Sequence, residues 1–266
     1  MNASGAASLA SLDGEIMPAA DAMIAATDEG LLRGDGVFEV VRVYDGRPFA
    51  LEEHLARLER SARNLRLPLD VEAVRADGHR LLAHAGAGPD HDLLRIVLTR
   101  GGRRLLLTEP LAPGPERIRL ASVTYAPTRI LDGVKSLSYA ANMLASRIAR
   151  EHGYDDALLV TPHGRVLELP TSSFFWVKNG AILTPPLGDH ILASITRAAV
   201  IELAGAHERE CTLADLDGAE EAFITSTTRE VQPVAAIDQL TFEDVGPVTA
   251  RLADELSAHI QSELVA

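Results

Sequence analysis

The sequence predicts a mixed α/β or α+β fold arranged in two domains. Segments whose apolar residues recur at helical spacing are interspersed with short segments typical of strands, bounded by Gly and Pro turns. The length of 266 residues exceeds the usual size of one domain. Residues 126–132, which include Pro127, are the best candidate for a linker, so we expect a smaller domain over 1–125 and a larger one over 133–266.

Turn signals and periodicity divide the first half into elements. Asp13-Gly14 predicts a tight turn between two short strands, and Asp45-Gly46 ends an alternating stretch. The predicted elements, in order, are a strand pair over 9–17, a strand over 37–44, helices over 51–65 and 71–84, and strands over 93–99 and 118–125.

The second half also mixes helices with strands. Its predicted elements, in order, are a helix over 139–151, strands over 157–161, 165–167 and 174–177, a helix over 194–203, a strand over 222–225 and a helix over 248–262. This mixture is typical of an enzyme-like α/β architecture but does not name a reaction.

Composition excludes several classes of protein. The net charge of −13 argues against a nucleic-acid-binding surface, because phosphate contacts need clustered Lys and Arg; a local basic pocket for a small anion stays open. The single cysteine, Cys211, is typical of a reducing cytosol. No run approaches about 18 apolar residues, the length of a membrane span. Residues 1–10 lack a signal-peptide pattern and are interpreted as a loose lead-in. We therefore expect a cytoplasmic protein without a membrane partner.

Lys135 is the strongest candidate for chemistry. The chain has two lysines among its 25 basic residues, so arginine fills nearly every position that needs only a positive charge. Lysine can lose its proton when desolvated and act as an amine nucleophile, which arginine cannot. Lys178 precedes an Asn-Gly turn and is expected to be solvated. Lys135 enters an apolar run; its ordinary alternative is a lysine that snorkels from a helix start.

Two further charged residues have an ordinary and a functional interpretation. Arg57 lies on an amphipathic helix, where it is either solvated or a bidentate clamp for a phosphate. Glu168 lies at the end of a mostly apolar strand, where a carboxylate needs a cationic or protonated partner; a structural ion pair is the alternative.

Two polar segments could bind an anion. Residues 194–197 precede a helix, whose first amides and positive dipole end favour anions, although a simple N-cap is the ordinary interpretation. Residues 225–228 are four consecutive hydroxyl residues that either cradle an anion or form a polar turn. Gly34-Asp35-Gly36 is a glycine-flanked turn.

Taken in order, these segments and their neighbours resemble one enzyme family. The motifs are Gly34-Asp-Gly-Val-Phe-Glu-Val-Val-Arg, His54-Leu-Ala-Arg57-Leu, Lys135-Ser-Leu-Ser-Tyr, Glu168 with Thr-Ser-Ser-Phe-Phe, Leu183-Thr-Pro-Pro-Leu, Ile195-Thr-Arg and Thr225-Ser-Thr-Thr-Arg-Glu-Val-Gln-Pro-Val. From about residue 9 to the end, the chain resembles the class IV aminotransferases. These fold type IV enzymes use pyridoxal 5'-phosphate (PLP) and include branched-chain and D-amino-acid aminotransferases, (R)-amine transaminases and aminodeoxychorismate lyase.

The resemblance implies a role for each matched residue. It implies a two-domain fold type IV enzyme with the cofactor between the domains, and a homodimer in which the neighbouring subunit helps line the pocket. Lys135 would form the internal aldimine with PLP and act as the catalytic acid–base group. The cofactor-binding residues implied with it are Arg57, Ile195, Thr196, Ser226 and Thr227 for the phosphate, Glu168 for the pyridine nitrogen and Tyr139 near the ring hydroxyl.

The chain departs from the family mainly on the substrate side. It has Arg33 where relatives carry an aromatic residue, and Leu169-Pro170 where they carry glycine and a small residue. Ser173 replaces a common asparagine, and Arg103-Arg104 followed by leucines replaces the Arg-x-His of D-amino-acid enzymes. We assign substrate binding to four residues, with Arg33 or Arg103 as the carboxylate ligand: Arg33, Phe38, Arg103 and Thr228.

The function predicted in this way is transamination from a small amino acid, the D-isomer favoured, or an amine to a 2-oxo acid. Branched-chain L-amino acids and (R)-amines stay open as donors, and aminodeoxychorismate lyase, which releases pyruvate, is the second enzyme reading. A non-catalytic binding protein is the third class, against which Lys135 and Glu168 count. No metal site is predicted.

Overall fold

The computed structural model describes residues 8–265, so most of the predicted lead-in, residues 1–7, lies outside the described residues. The chain forms two compact units. The first runs to Pro113 and also includes Val134–Ser138; the second comprises Gly114–Gly133 and everything from Tyr139 onward. The domain boundaries 1–125, 126–132 and 133–266 stay a prediction.

The first unit contains one antiparallel sheet and three helices within its described residues. Its elements are β1 (Leu9–Leu12), β2 (Glu15–Pro18), α1 (Glu29–Arg33), β3 (Gly36–Tyr44), β4 (Arg47–Pro48), α2 (Leu51–Asn64), α3 (Val71–Ala85), β5 (Leu93–Thr99) and β6 (Arg104–Glu109). The described strands follow the order β2-β1-β6-β5-β3-β4.

One face of this sheet is covered by helices. α2 contacts β3, and α3 contacts β6 and β1. The apolar residues predicted at helical spacing, such as Leu55 and Leu58, are buried there with Val37 and Val41 of β3. Because side chains alternate along a strand, the odd-numbered residues of β3 point toward α2 and the even-numbered ones point to the other face.

The second unit contains a mixed sheet with three longer helices. Its elements are β7 (Ile118–Thr124), α4 (Ala140–Glu151), β8 (Asp156–Val160), β9 (Ser173–Lys178), β10 (Ala181–Thr184), α5 (Ile195–Ala204), β11 (His207–Glu208), β12 (Glu221–Ser226), β13 (Glu230–Ile237), β14 (Leu240–Thr241) and α6 (Pro247–Val265). The described strands follow the order β11-β10-β9-β12-β13-β7-β8, and β14 pairs with β13.

Parallel and antiparallel pairs occur together in this sheet. β13, β7 and β8 run parallel, whereas β9 pairs antiparallel with both β10 and β12, and β12 pairs antiparallel with β13. α4 packs against β7 and β8, and α5 packs against β12 and α6. Its core is aromatic, with Phe174 stacked on Trp176 and Phe175 stacked on Phe223. The mixed α/β class predicted from the sequence is confirmed.

The strand predicted over 165–167 is wrong. Val166 and Leu167 are buried, which accounts for the apolar run, but their amides donate to Cys211 and Leu159 on different neighbours. Only isolated bridges form there, at Val160–Val166 and Arg165–Thr212. Burial alone does not make a strand when the hydrogen bonds leave in different directions.

Several elements were not predicted from the sequence: α1, β6, β10 and β13. β6 is a nearly continuous apolar run, whose periodicity does not separate strand from helix. β13 contains Pro233, a residue that normally argues against an inner strand. The sheet accommodates it next to a register shift between Val234 and Ala236. Within residues 8–265, no helix combines the length and the apolar composition needed to cross a membrane.

Candidate active site

The backbone of Lys135 is fixed to the edge of β3. The Phe38 amide donates to the Lys135 carbonyl at 3.0 Å, and the Leu137 amide donates to the Gly36 carbonyl at 2.9 Å. The Lys135 amide in turn donates to Ser61 Oγ of α2 at 3.2 Å. Gly36 is required because a Cβ there would lie 2.3 Å from the Leu98 carbonyl oxygen. These bonds surround an isolated antiparallel bridge between Val37 and Ser136, so the position of the lysine segment does not depend on the Lys135 side chain.

The side chain of Lys135 lies against an aromatic ring. Its Nζ is 4.5 Å from the centroid of Phe38, an even-numbered residue of β3 on the face away from α2. A cation over an aromatic face is attracted by the ring quadrupole. The lysine is half-buried, and the structure therefore does not leave it as a solvated lysine on a helix.

A buried network of three charged or polar residues lies on the other face of β3. Arg57 Nε donates to Glu39 Oε1 at 2.7 Å, and Arg57 Nη2 donates to Glu39 Oε2 at 2.6 Å. His54 Nδ1 lies 2.8 Å from the same Oε2. Glu39 and His54 have exposed fractions of 0% and 1%, so this network is shielded from water. Arg57 is equally buried, which rules out the solvated interpretation of this arginine.

The network fixes the charge of its members. Burial of Glu39 opposes ionisation, but the hydrogen bonds and charge of Arg57, with His54, outweigh it and lower the carboxyl pKa to about 2. Burial also lowers the pKa of His54, against the opposing effect of Glu39, and the charges of Arg57 and Lys135 lower it further. The His54–Glu39 contact is therefore a hydrogen bond from a neutral imidazole, with Nδ1–H as the donor.

Sequence reasoning missed Glu39 and His54 as functional candidates. Both belong to the quoted motifs, but neither received a role. The available signal was Glu39 itself, a carboxylate inside the apolar stretch 37–44 that needs a partner when it is buried. The partners, His54 and Arg57, lie fifteen and eighteen residues later in the sequence, on α2. They reach Glu39 because the helix packs against the strand.

In the second unit, Glu168 is tied to the approach of α5. Its Oε1 accepts a hydrogen bond from the Leu192 amide at 3.0 Å. Tyr125 lies near Glu168. Burial raises the pKa of the Tyr125 phenol, and the negative charge of Glu168 raises it further. Leu192 lies three residues before Ile195, the first residue of α5. The hydrogen bond to Leu192 therefore holds Glu168 close in the chain to the predicted phosphate-binding helix start.

The start of α5 presents amide donors that have no acceptor within the helix itself. Ser194 caps the helix, and its Oγ accepts from the Arg197 amide at 3.3 Å. The amides of Ile195 and Thr196 are the first two of the helix and have no acceptor within it. Thr196 is buried. The N-cap predicted as the ordinary interpretation is present, and it is compatible with anion binding by the next two amides.

The hydroxyl segment lies at the end of β12, an element that packs against α5. Ser226 Oγ lies 3.4 Å from Thr228 Oγ1 and accepts from the Arg229 amide at 3.2 Å. The Arg229 side chain is held by Asp156 at 3.0 Å. Thr225 Oγ1 is buried, and no hydrogen-bond partner for it is found within the described chain. Thr227 completes the segment and is half-buried.

Tyr139 is hydrogen-bonded to Pro170, one of the positions where the sequence departs from the family. Its hydroxyl donates to the Pro170 carbonyl at 2.5 Å, and Asn142 Nδ2 donates to the same oxygen at 3.2 Å. The hydrogen bond to Pro170 therefore fixes the direction in which the Tyr139 phenol points.

The two predicted substrate arginines form ion pairs with nearby carboxylates. Arg33 is on α1 with 75% of its side chain exposed, and it pairs with Glu29 at 2.6 Å. Arg103 is 45% exposed and pairs with Asp13 at 2.6 Å. Phe38 is the predicted substrate residue that lies next to the lysine. In the other unit, Thr228 lies next to the predicted phosphate ligand Ser226.

The available groups fit a phosphorylated pyridine cofactor. The donors of the second unit are helix-start amides and hydroxyls, which suit a phosphate monoester. The orphaned, buried Thr225 Oγ1 at the hydroxyl segment is consistent with a missing polar partner there. Within the second unit, Glu168 has the carboxylate that a ring nitrogen would need. Within the first unit, Lys135 has an amine beside an aromatic ring. No group of three or more metal-binding side chains occurs in residues 8–265.

Comparisons with known proteins point in the same direction. The family model "Amino-transferase class IV" matches residues 36–237. The chain is 35% identical to a Methanocaldococcus jannaschii protein named "Putative branched-chain-amino-acid aminotransferase", over 92% of this chain and 93% of the relative. It is 31% identical to a D-alanine aminotransferase of Bacillus licheniformis, over 94% of this chain and 96% of the relative.

Solved structures agree with the sequence relatives. A fold IV transaminase from Curtobacterium pusillum superposes with a TM-score of 0.83 at 30% identity, covering 94% of this chain and 99% of that one. A 4-amino-4-deoxychorismate lyase from Pseudomonas aeruginosa superposes with a TM-score of 0.80 at 31% identity, covering 94% and 98%.

Proposed function

Since this chain belongs to the class IV aminotransferases and is therefore a PLP-dependent transaminase, we propose that it moves an amino group from a small α-amino acid to a 2-oxo acid, with a preference for D-amino acids. The observation that carries the proposal is Lys135, one of two lysines, whose backbone is hydrogen-bonded to β3 and whose Nζ lies 4.5 Å from the Phe38 ring.

The proposed role of Lys135 has two parts. Its Nζ is the amine that would hold PLP covalently. The same amine moves the proton at the substrate Cα, a task for which a tethered amine is suited because it is held close to the reacting atom. PLP, when bound, supplies an electron sink that stabilises negative charge at Cα.

The remaining site residues hold and orient the cofactor in this proposal. Arg57 binds the phosphate, and its two hydrogen bonds to Glu39 orient the guanidinium for that task. Glu168 keeps a proton on the pyridine nitrogen, and Tyr139 meets the ring hydroxyl. The proposed phosphate donors of the second unit are Ile195, Thr196, Ser226 and Thr227.

The name of one sequence relative supports a preference for D-amino acids, whereas the name of another refers to branched-chain amino acids. The Bacillus licheniformis relative is named a D-alanine aminotransferase, and the Methanocaldococcus jannaschii relative is named for branched-chain amino acids. A half-reaction screen tests the preference: the absorbance of the loaded enzyme is followed as D-alanine, L-leucine or (R)-1-phenylethylamine is added. We expect the fastest change with D-alanine; a faster change with L-leucine would assign the enzyme to branched-chain L-amino acids.

A second candidate function is aminodeoxychorismate lyase, favoured by the similarity to the Pseudomonas aeruginosa lyase. Transaminase and lyase share the cofactor and the lysine, so the residues described above do not separate them. Pyruvate release separates them. A lyase releases pyruvate from aminodeoxychorismate without any amino acceptor, whereas a transaminase needs a 2-oxo acid to turn over repeatedly.

The proposal includes a cytoplasmic homodimer. The single cysteine, Cys211, is buried, and burial raises the pKa of its thiol to about 12, which suits a protein that needs no disulfide. A dimer is expected from the family resemblance. Light scattering coupled to size exclusion tests it; a mass of 28.5 kDa, that of one chain, would contradict it.

A further inference from the structure

The residue that follows the hydroxyl segment 225–228, Arg229, closes it into a turn. Ser226 pairs with Glu230 across β12 and β13, so residues 227–229 connect the two strands. The Arg229 amide donates to the Ser226 carbonyl at 3.3 Å and to Ser226 Oγ at 3.2 Å. Glu230 has a φ of 51°, in the left-handed region, and a residue other than glycine keeps this conformation only where its surroundings hold it. The turn therefore needs a further restraint.

The side chain of Arg229 supplies such a restraint, because it is anchored on a buried carboxylate. Arg229 Nη2 donates to Asp156 Oδ2 at 3.0 Å, across 73 residues of chain. Asp156 is the first residue of β8 and is buried; its Oδ1 accepts from Ser146 Oγ of α4 at 2.6 Å and from the Ala157 amide at 2.9 Å. Both carboxylate oxygens thus have donors, as a buried carboxylate requires. The turn is thereby tied through Arg229 to β8 and α4.

Two buried polar atoms of this region, Thr225 Oγ1 and Arg229 Nη1, have no hydrogen-bond partner within the described chain. Buried polar groups in native proteins nearly always have a partner, so these atoms call for a bound water, ion or ligand. Arg229 also brings a positive charge to a segment whose other polar side chains, as far as Thr228, are neutral hydroxyls. A guanidinium and hydroxyls together suit an anion. These features agree with the phosphate proposed for Ser226 and Thr227.

We propose that Arg229 is a positioning residue for the cofactor phosphate and that Asp156 holds it in place. The inference rests on the proposed function, because it takes the hydroxyl segment as part of the phosphate site. The Arg229 amide fixes Ser226 Oγ at the turn, and the ion pair with Asp156 holds the turn in this conformation before the cofactor binds. A turn that is already ordered loses less conformational entropy on binding, which strengthens the affinity for the phosphate.

The matched control is Arg165, another turn arginine of the second unit. Its amide also donates to a hydroxyl earlier in its turn, Thr161 Oγ1, at 3.0 Å, and its side chain pairs with Glu210 at 2.6 Å. The Arg165 side chain is 30% exposed, compared with 27% for Arg229. Arg165→Gln and Arg229→Gln therefore each remove the ion pair of a half-buried turn arginine, and only the second alters the hydroxyl segment. Melting temperature reports whether each variant folds.

The experiment measures the Kd of the full-length apo-protein for PLP and for pyridoxal, which lacks the phosphate, by titration calorimetry. Arg229→Gln should raise the Kd for PLP about tenfold, the scale of a lost charged hydrogen bond, and leave the Kd for pyridoxal unchanged. Asp156→Asn should show the same phosphate-dependent loss. The double variant, which leaves no uncompensated charge, should lose no more than either single variant, because both changes release the same turn. Arg229→Lys should recover part of the loss, and Arg165→Gln should match wild type.

Two outcomes would overturn the positioning role of Arg229: an unchanged Kd for PLP in both Arg229→Gln and the double variant, or equal losses for PLP and pyridoxal, which would mark a general structural role. Additive losses in the double variant would remove Asp156 from the proposal. Failure of the proposed function looks different. A wild type that prefers PLP to pyridoxal but does not transaminate D-alanine would contradict that function, and the two titrations would still decide on Arg229.

Discussion

Arg57 and Glu39 form a two-bond ion pair in the interior of the first unit, with Nε–Oε1 at 2.7 Å and Nη2–Oε2 at 2.6 Å. Glu39 belongs to β3, and its neighbour Phe38 contacts Lys135 from the opposite face. One strand therefore fixes the proposed covalent lysine on one side and the proposed phosphate arginine on the other. A buried pair is weak evidence for stability, but removing one partner leaves an uncompensated charge.

Glu39→Gln should weaken cofactor retention. The arginine would keep its charge but lose the carboxylate that orients it, so the Kd for PLP should rise roughly tenfold or more, the scale of a lost charged hydrogen bond. Dialysis followed by absorbance measures retention, and excess PLP should restore loading. Glu52→Gln is the control, because its pair with Arg75 is on the surface. Retention equal to wild type in Glu39→Gln would show that the pair serves only the fold.

The free energy of unfolding should fall in acid because of Glu39. Its pKa is about 2 in the folded protein and lies near 4.3 in an unfolded chain. The stabilisation is thus fully present above about pH 4.3 and is lost as the pH falls toward 2. Its size is on the order of 3 kcal/mol. Denaturant unfolding between pH 6 and about 3 should show a shallower pH dependence in Glu39→Gln; parallel curves would contradict this origin.

Lys135→Arg should abolish turnover while the protein stays folded, because a guanidinium neither bonds covalently to PLP nor moves the Cα proton. Borohydride reduction of wild type followed by peptide mapping should place the cofactor adduct on Lys135. Lys178→Arg is the control, because Lys178 is an exposed lysine that donates to the carbonyls of Asp215 and Asp217, both at 2.7 Å. An adduct on Lys178, or no adduct, would overturn the assignment.

Glu168→Gln should leave a folded, cofactor-loaded protein that reacts slowly. The amide oxygen of glutamine can still accept the Leu192 N–H, so this hydrogen bond is kept while the negative charge is lost. Proton removal at Cα should slow by roughly 100-fold or more, as when an oriented electrostatic partner is lost. Single-turnover absorbance measures it. Glu220→Gln, which alters an exposed carboxylate bonded to the Gly180 amide, is the control; near-normal rates in Glu168→Gln would make this carboxylate structural.

The sequence determined most of the fold because local signals and global packing agree. The helical spacing of residues 51–65 predicted α2 to within one residue, and Asp13-Gly14 predicted the β1–β2 turn. The prediction failed over 165–167, where burial produced an apolar run without a common hydrogen-bonding partner. It also omitted β13, which contains Pro233 beside a register shift between Val234 and Ala236.

By itself, the sequence also determined the family and the cofactor, through an ordered set of motifs and a lysine kept where arginine is otherwise used. Only the tertiary structure decided that Arg57 is buried on Glu39, that Arg33 and Arg103 pair with nearby carboxylates, and that the Arg229 side chain is held by Asp156. The physical reason is range. Periodicity and turn chemistry act over a few residues, whereas the partner of a buried charge is set by which strand and helix pack together, across many residues of chain.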